Sequence, residues 1–459
     1  MNKTFSLLLL VIITLNSFGQ QKFPKQGVLE DLLYLKTSLE KAHYNLYTYI
    51  TEEAFNENYT KVRTSITQDS LTILETTSLL QAVISKANNG HTEIPFPGAT
   101  YGAYANAGGT LFPLELAFEN GKALIRKNLS TNDSLQIGSE VITINKRSIN
   151  DILYQIYPLI SAERRYFKLA KLELFSFPRY YWQAFGEQKF FDVEVKENGI
   201  VKKYKLDAVD AIKGFEIKRN EIFQLDREFG FIEGAAYLRP GNFSGDKEQY
   251  KRFIDSSFTA FKTKKSPNLI IDLRNNLGGD DSFSDYLVSY IAHKPFRWCS
   301  KFTLKTSAIL KRHVKETYDV SQPFWKSVLS HDNGSIYKYE FDLYQPQPET
   351  KRYQGKVYVL VNRQSHSQSA VTAAQIQDYS FATIVGEETG DFPSLLASQY
   401  GFNLPNTGIN VKIAKGYIVR INGSKKPEGV QPDIIIKDHL LDENDEILDG
   451  LLAILKNQQ

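Results

Sequence analysis

The sequence has 459 residues, with 55 Lys and Arg against 52 Asp and Glu and a formal net charge of +3. At roughly 100–200 residues per domain this is two to four domains, and 42% hydrophobic residues exclude disorder over most of the chain, because so much apolar surface can offset the entropy of ordering. So balanced a charge offers no footprint for nucleic acid or an anionic membrane surface, and the single Cys299 excludes an intramolecular disulfide and a Cys-based zinc site.

Lys3, the apolar run 5–15, and the small residues Ser17 and Gly19 read as an export leader over residues 1–19. The run is about 11 residues, too short to span a bilayer at ~1.5 Å per residue. No stretch elsewhere is as long and apolar as a membrane span. The mature chain is therefore expected to be exported, periplasmic or extracellular, with no stable membrane insertion after the leader is removed.

Residues 20–99 predict helices. Val28, Leu32, Leu35, Leu39, Ala42 and Leu46 recur at intervals of three or four, and a second periodic segment runs from about Ser70 through Leu74, Leu79, Leu80, Val83 and Ile84. Asn88-Asn89-Gly90 is a helix-stop signal, and His91 follows it. Residues 100–210 turn β-rich, with runs at 111–118, 122–126 and 140–144, then helices near 148–160 and 162–175. Asn198-Gly199 between 191–195 and 203–206 predicts a hairpin whose turn is slightly longer than the two-residue minimum. Residues 211–459 repeat strand, loop and helix: 269–273 then 282–292, 357–361 then 368–379, a strand at 384–386, and a last amphipathic helix at 443–456. This alternation predicts a mixed, multidomain α/β protein whose last block holds a largely parallel sheet.

Four constellations could carry chemistry. The run from Asp272 to Gly279 ends a buried strand in two glycines, whose free N–H groups could face an oxyanion or simply form a strand-to-helix turn. In Ser365-His366-Ser367-Gln368-Ser369-Ala370 a serine stands at a helix N-terminus, as a nucleophile or as an ordinary N-cap. His91, beside Gly90, could aim into a cleft or be structural. In Pro427-Glu428-Gly429-Val430-Gln431-Pro432-Asp433, Glu428 or Asp433 could orient an imidazole or be a solvated carboxylate. The seven histidines show no paired helix spacing, so no metal is called for.

In order, these motifs resemble the C-terminal processing, or tail-specific, serine peptidases. The run 268–279 looks like the family's strand with its double glycine. Residues 357–390, with Asn362, the serine-rich turn, Gln377-Asp378 and Gly386-Glu387-Glu388-Thr389-Gly390, look like its next block. Leu404-Pro405-Asn406-Thr407-Gly408 and the 429–433 motif complete the tail. Residues 110–155, notably 137–145, resemble its PDZ-like insert. The resemblance implies a helical head ending at His91 (20–99), a PDZ-like β-rich domain (100–210) and an α/β peptidase core of the ClpP/crotonase-like type (211–459). It implies a polypeptide substrate and no cofactor. The lysine of the family's Ser-Lys design would fall on Phe392, which cannot take a proton. His91 stands where the tricorn-core branch places its base, with Gly90 where that branch has a second serine. The implied roles are Ser367 as nucleophile, His91 as base, Glu428 as the acid that holds the imidazole, and the N–H groups of Gly278 or Gly279 and of Gln368 as the oxyanion hole. Ser367 is preferred to Ser365 and Ser369 by its spacing to Asp378. A histidine base implies activity that falls below about pH 6–7. Ala107-Gly108-Gly109-Thr110-Leu111 is the nearest candidate for a loop that grips a peptide carboxylate. A non-catalytic peptide- or hydrophobic-ligand-binding protein on this scaffold, or a serine esterase or amidase, stays open as an alternative.

Overall fold

The structure is a computed structural model that describes residues 21–219 and 226–457. The expected leader lies outside the described residues. The helical head is built from α1 (Lys25–Ala42), α2 (Glu52–Ser65) and α3 (Ile73–Ile84). The apolar stripe Val28, Leu32, Leu35, Leu39 and Ala42 is wholly buried, as its spacing demands. Thr72 and Glu75 form a reciprocal capping box that starts α3. A short 3-10 turn and Asn88, in the left-handed region at φ 49°, stop it.

Next comes an antiparallel sheet of β1 (Leu114–Glu119), β2 (Lys122–Asn128), β3 (Glu140–Ile144), β4 (Phe190–Glu197) and β5 (Ile200–Asp207), with the short strand Arg147–Ser148 beside β3. Between β3 and β4 lie α4 (Ile149–Ile156), α5 (Arg165–Phe175) and α6 (Phe177–Phe185). The hairpin turn is tighter than its sequence suggests. Glu197 pairs Ile200, and Asn198 and Gly199 both take positive φ (49° and 86°), the signature of a two-residue type I′ turn.

The last block runs β6 (Glu228–Ile232), β7 (Ala235–Arg239), α7 (Lys247–Lys264), β8 (Asn268–Asp272), α8 (Asp281–Ser289), β9 (Lys301–Lys305), β10 (Ile336–Tyr339), β11 (Lys356–Val361), α9 (Gln368–Tyr379), β12 (Thr383–Gly386), β13 (Leu395–Asn403), β14 (Asn410–Val419), β15 (Ile434–Ile435) and α10 (Glu446–Lys456). The expected parallel sheet has the order β6-β7-β8-β11-β12-β15, with β6 as an antiparallel edge. Helices α7, α8 and α9 bury one face with Phe258, Leu287 and Ile376, and α10 covers the other with Ile447 and Leu451. A second, antiparallel sheet, β10-β9-β14-β13, was not expected. It shares one core with the helical head, where Leu35 and Leu39 meet Leu304 and Ile413. Residues 25–84 are thereby packed against the sheet of residues 301–419. No helix among the described residues is long and apolar enough to cross a membrane.

Candidate active site

The parallel neighbours β8 and β11 end side by side, and the turns that leave them carry two of the motifs. Asn275 N donates to Asn362 Oδ1 and Asn362 Nδ2 donates to Asn275 Oδ1, each at 3.0 Å, which clasps the turns. Only glycine fits at 278. Its φ is +82°, and a Cβ there would lie 2.5 Å from Gln368 N and 2.7 Å from Ser367 Cβ.

Ser367 stands at the N-cap of α9 with φ 53° and ψ −130°, and its side chain does not cap the helix. That conformation costs a non-glycine residue ~1–3 kcal/mol. Its Oγ lies 2.9 Å from His91 Nε2, across 276 residues of sequence. The neighbouring serines are spent elsewhere: Ser365 and Ser369, both fully buried, donate to Leu273 O at 2.7 and 3.4 Å.

His91 reaches this point because the chain leaving α3 is tied to the second sheet. Asn89 Nδ2 donates to Leu396 O at 3.0 Å, and Glu93 bridges to Lys412. The imidazole is buried, and burial holds it down to about 4 against the opposing pull of Glu163. Burial thus favours the neutral imidazole below the pH 6–7 at which an ordinary histidine titrates.

Two carboxylates that the motifs did not single out stand beside it. His91, Glu163 and Asp391 each offer an atom within 4.8 Å of the others. Asp391 is fully buried; its Oδ2 accepts from Ser367 N at 2.9 Å and lies 3.8 Å from His91 Nε2. Burial pushes its carboxyl up to about 6. Glu163 Oε1 accepts from Gly90 N at 2.7 Å and from Asn89 Nδ2 at 3.0 Å. Burial, then the nearby Asp391, raise its pKa. The spacing could hold a cation, but His91 Nε2 and Asp391 Oδ2 already serve Ser367. A second such group, His439, Asp442 and Glu446, lies at the surface.

The stretch that carries Glu163 touches the segments that hold His91, Ser367 and Asp391. Arg164 donates to Glu388 Oε1 at 2.6 Å, to Thr389 O at 2.9 Å and to Gly390 O at 3.2 Å, just ahead of Asp391. Lys171 Nζ donates to Gly90 O at 3.3 Å. Glu173 accepts from Arg363 at 2.8 Å and from Gln364 at 2.7 Å, just ahead of Ser367. Phe392, in the position of the family's lysine, lies under the Arg164 guanidinium, 5.1 Å from ring centre to Cζ.

Glu428 is not brought to His91. It is 44% exposed and pairs loosely with Lys426 at 3.8 Å. Its loop serves another purpose: Gly429 N donates to Glu388 Oε1 and Val430 N to Thr389 Oγ1, each at 2.8 Å. Asp433 accepts from Ile384 N at 2.8 Å and Gln377 at 2.9 Å, so it too is structural. Among the expected oxyanion donors, Gly278 N is committed to Asn276 Oδ1 at 2.7 Å. Gln368 N lies against Gly278 beside Ser367, and Gly279 follows in the same turn. The Ala107–Leu111 loop is closed to a carboxylate, because Gly108 N, Gly109 N and Thr110 N donate to Ala105 O, Tyr104 O and Tyr104 OH at 2.8–3.1 Å.

Residues 234–436 match the model of Peptidase family S41. The chain resembles the crystal structure of mature CPAF at 14% identity and a TM-score of 0.63, over 90% of this chain and 92% of that one. It resembles the structure of mature CPAF complexed with lactacystin at 14% identity and a TM-score of 0.64, over 94% and 97%. At such identity the likeness is one of fold. No curated protein matches the sequence.

Proposed function

We propose, from the match of residues 234–436 to the Peptidase family S41 model, that this chain is an exported serine-type peptidase cleaving polypeptides through an acyl-enzyme, with Ser367 as nucleophile and His91 as base. One observation carries the reading: the 2.9 Å contact between His91 Nε2 and the hydroxyl of a serine in a strained turn. Ser367 Oγ attacks the scissile carbonyl while His91 Nε2 takes its proton, then returns it to the leaving amine. The tetrahedral oxygen is held by N–H groups of Gln368 and Gly279, since Gly278 N is already spent. Water then repeats the sequence on the acyl-enzyme, again through His91.

Residues 100–210 retain the PDZ-like role, in which a polypeptide tail adds along a sheet edge; the exposed Ile200 and Val201 on the edge strand β5 suit that. Residues 1–19 are the proposed leader, so mass spectrometry of the exported protein is expected to find Gln20 at its start.

A fluorophosphonate probe tests the site. The wild type is expected to label, and Ser367→Ala and His91→Ala are expected to lose labelling. Undiminished labelling of Ser367→Ala would refute the nucleophile. Turnover of esters without cleavage of any polypeptide would favour the esterase reading.

A further inference from the structure

We infer that Glu163, delivered by the inserted region ahead of α5, is the residue that positions and charge-balances the His91 imidazole. The inference rests on the Ser367–His91 reading above.

The two ring nitrogens of His91 have different surroundings. Nε2 faces Ser367 Oγ at 2.9 Å, with Asp391 on the same side at 3.8 Å. To accept the serine proton there, the neutral ring must carry its own proton on Nδ1. That Nδ1 is shut off from solvent and has no hydrogen-bond partner. A buried donor left unpaired costs ~1–3 kcal/mol, and an unpaired buried imidazolium costs more. Glu163 Oε2 is equally shut off and equally unpartnered. Asp391 is engaged by Ser367 N and Phe392 N, while Glu163 keeps an unpartnered buried oxygen and has a carboxylate oxygen within 4.8 Å of a His91 ring nitrogen. The two atoms are not bonded in this structure; a short approach as the ring takes up the serine proton would satisfy both at once.

The surroundings hold Glu163 for this purpose. Its Oε1 is fixed by Gly90 N and Asn89 Nδ2, on the same strip of chain as His91. Position 90 must then be small: a Cβ there would stand 3.0 Å from Glu163 Oε2 and 3.0 Å from the Phe167 ring. The charges that act on His91 come from four elements. Glu163 and Lys171 belong to the inserted region, Glu93 to the strip after His91, Lys412 to β14, and Asp391 to the loop after β12. Glu163 is the strongest of those that favour the imidazolium.

Glu163→Gln in the full chain is the test. The amide oxygen can still accept from Gly90 N, so the fold is expected to survive while the charge is lost. Turnover is expected to fall about 10²- to 10⁴-fold with KM changed less than about threefold. The acid limb of kcat/KM is expected to move to lower pH, because a carboxylate that raises the imidazole pKa has gone. A merely structural contact would not move that limb. An independent check needs no variant. In the phosphonylated wild type, His91 Nδ1–H is expected to give a far-downfield proton resonance, as a hydrogen bond to a carboxylate requires. Unchanged turnover and limb in Glu163→Gln, or no such resonance, would overturn the role of Glu163. Labelling lost in Ser367→Ala and His91→Ala would leave the peptidase reading standing even then, so the two failures are told apart.

Discussion

Two loops approach the site from opposite sides of the sequence, and each brings a glutamate. The 161–164 loop puts Glu163 among His91, Gly90 and Asn89, while the 427–433 loop leaves Glu428 pointing at Lys426 near the surface. Both loops hold the same strand of chain, since Arg164 and Gly429 N both bond Glu388. The difference shows that standing beside a family motif does not settle a chemical role. What settles it is which loop is buried against the imidazole. The 427–433 loop acts as a backbone buttress, and its glycine is its working part: a Cβ at Gly429 would lie 2.0 Å from Thr389 O.

This contrast can be broken by experiment. Ser367→Ala sets the floor: turnover is expected to drop about 10⁴- to 10⁶-fold, measured on a fluorogenic peptide. Glu163→Gln should come next, at the 10²- to 10⁴-fold loss argued above. Arg164→Leu removes charge-assisted bonds to Glu388 and two carbonyls. It should cost ~1–3 kcal/mol in chemical denaturation and, by loosening the Asp391 loop, about tenfold in kcat. Glu428→Gln should change kcat/KM by less than about twofold, as an exposed loop carboxylate would. If Glu428→Gln proves more damaging than Glu163→Gln, the assignment of the two loops is reversed. A fifth measurement sharpens the base itself. The wild-type acid limb should fall below the free-imidazole value of 6.5, toward 4, because burial favours neutral His91.

Much of this was legible in the residues. The buried stripe of α1, the double glycine after β8, the serine turn before α9 and the stop after α3 are local patterns, and local sterics and periodicity act on neighbours. The helix predicted at 368–379 is found with those limits. The Ser367–His91 contact was reached through resemblance, since nothing near either residue announces the other. Glu163 and Asp391 were missed for a physical reason. Each lies in a run whose local chemistry is that of an ordinary loop, and each acquires its setting from another segment: Gly90, 73 residues away, for Glu163, and Ser367, 24 residues away, with the distant His91 for Asp391. The four-stranded antiparallel sheet was missed in the same way. Its strands come from 301–305 and from as far on as 410–419, and their pairing is a tertiary fact. The hint available for Glu163 was an acid next to two arginines at a helix start, a pattern too common to single out.

The 276-residue span between His91 and Ser367 carries a consequence for the life of the molecule. A ribosome finishes His91 long before Ser367, and Asp391 is made later still. Contacts so distant in sequence form late in folding, after shorter loops have closed. A nascent or threaded chain therefore holds every reactive group and no working cleft. The arrangement of these groups arrives together with the finished shape.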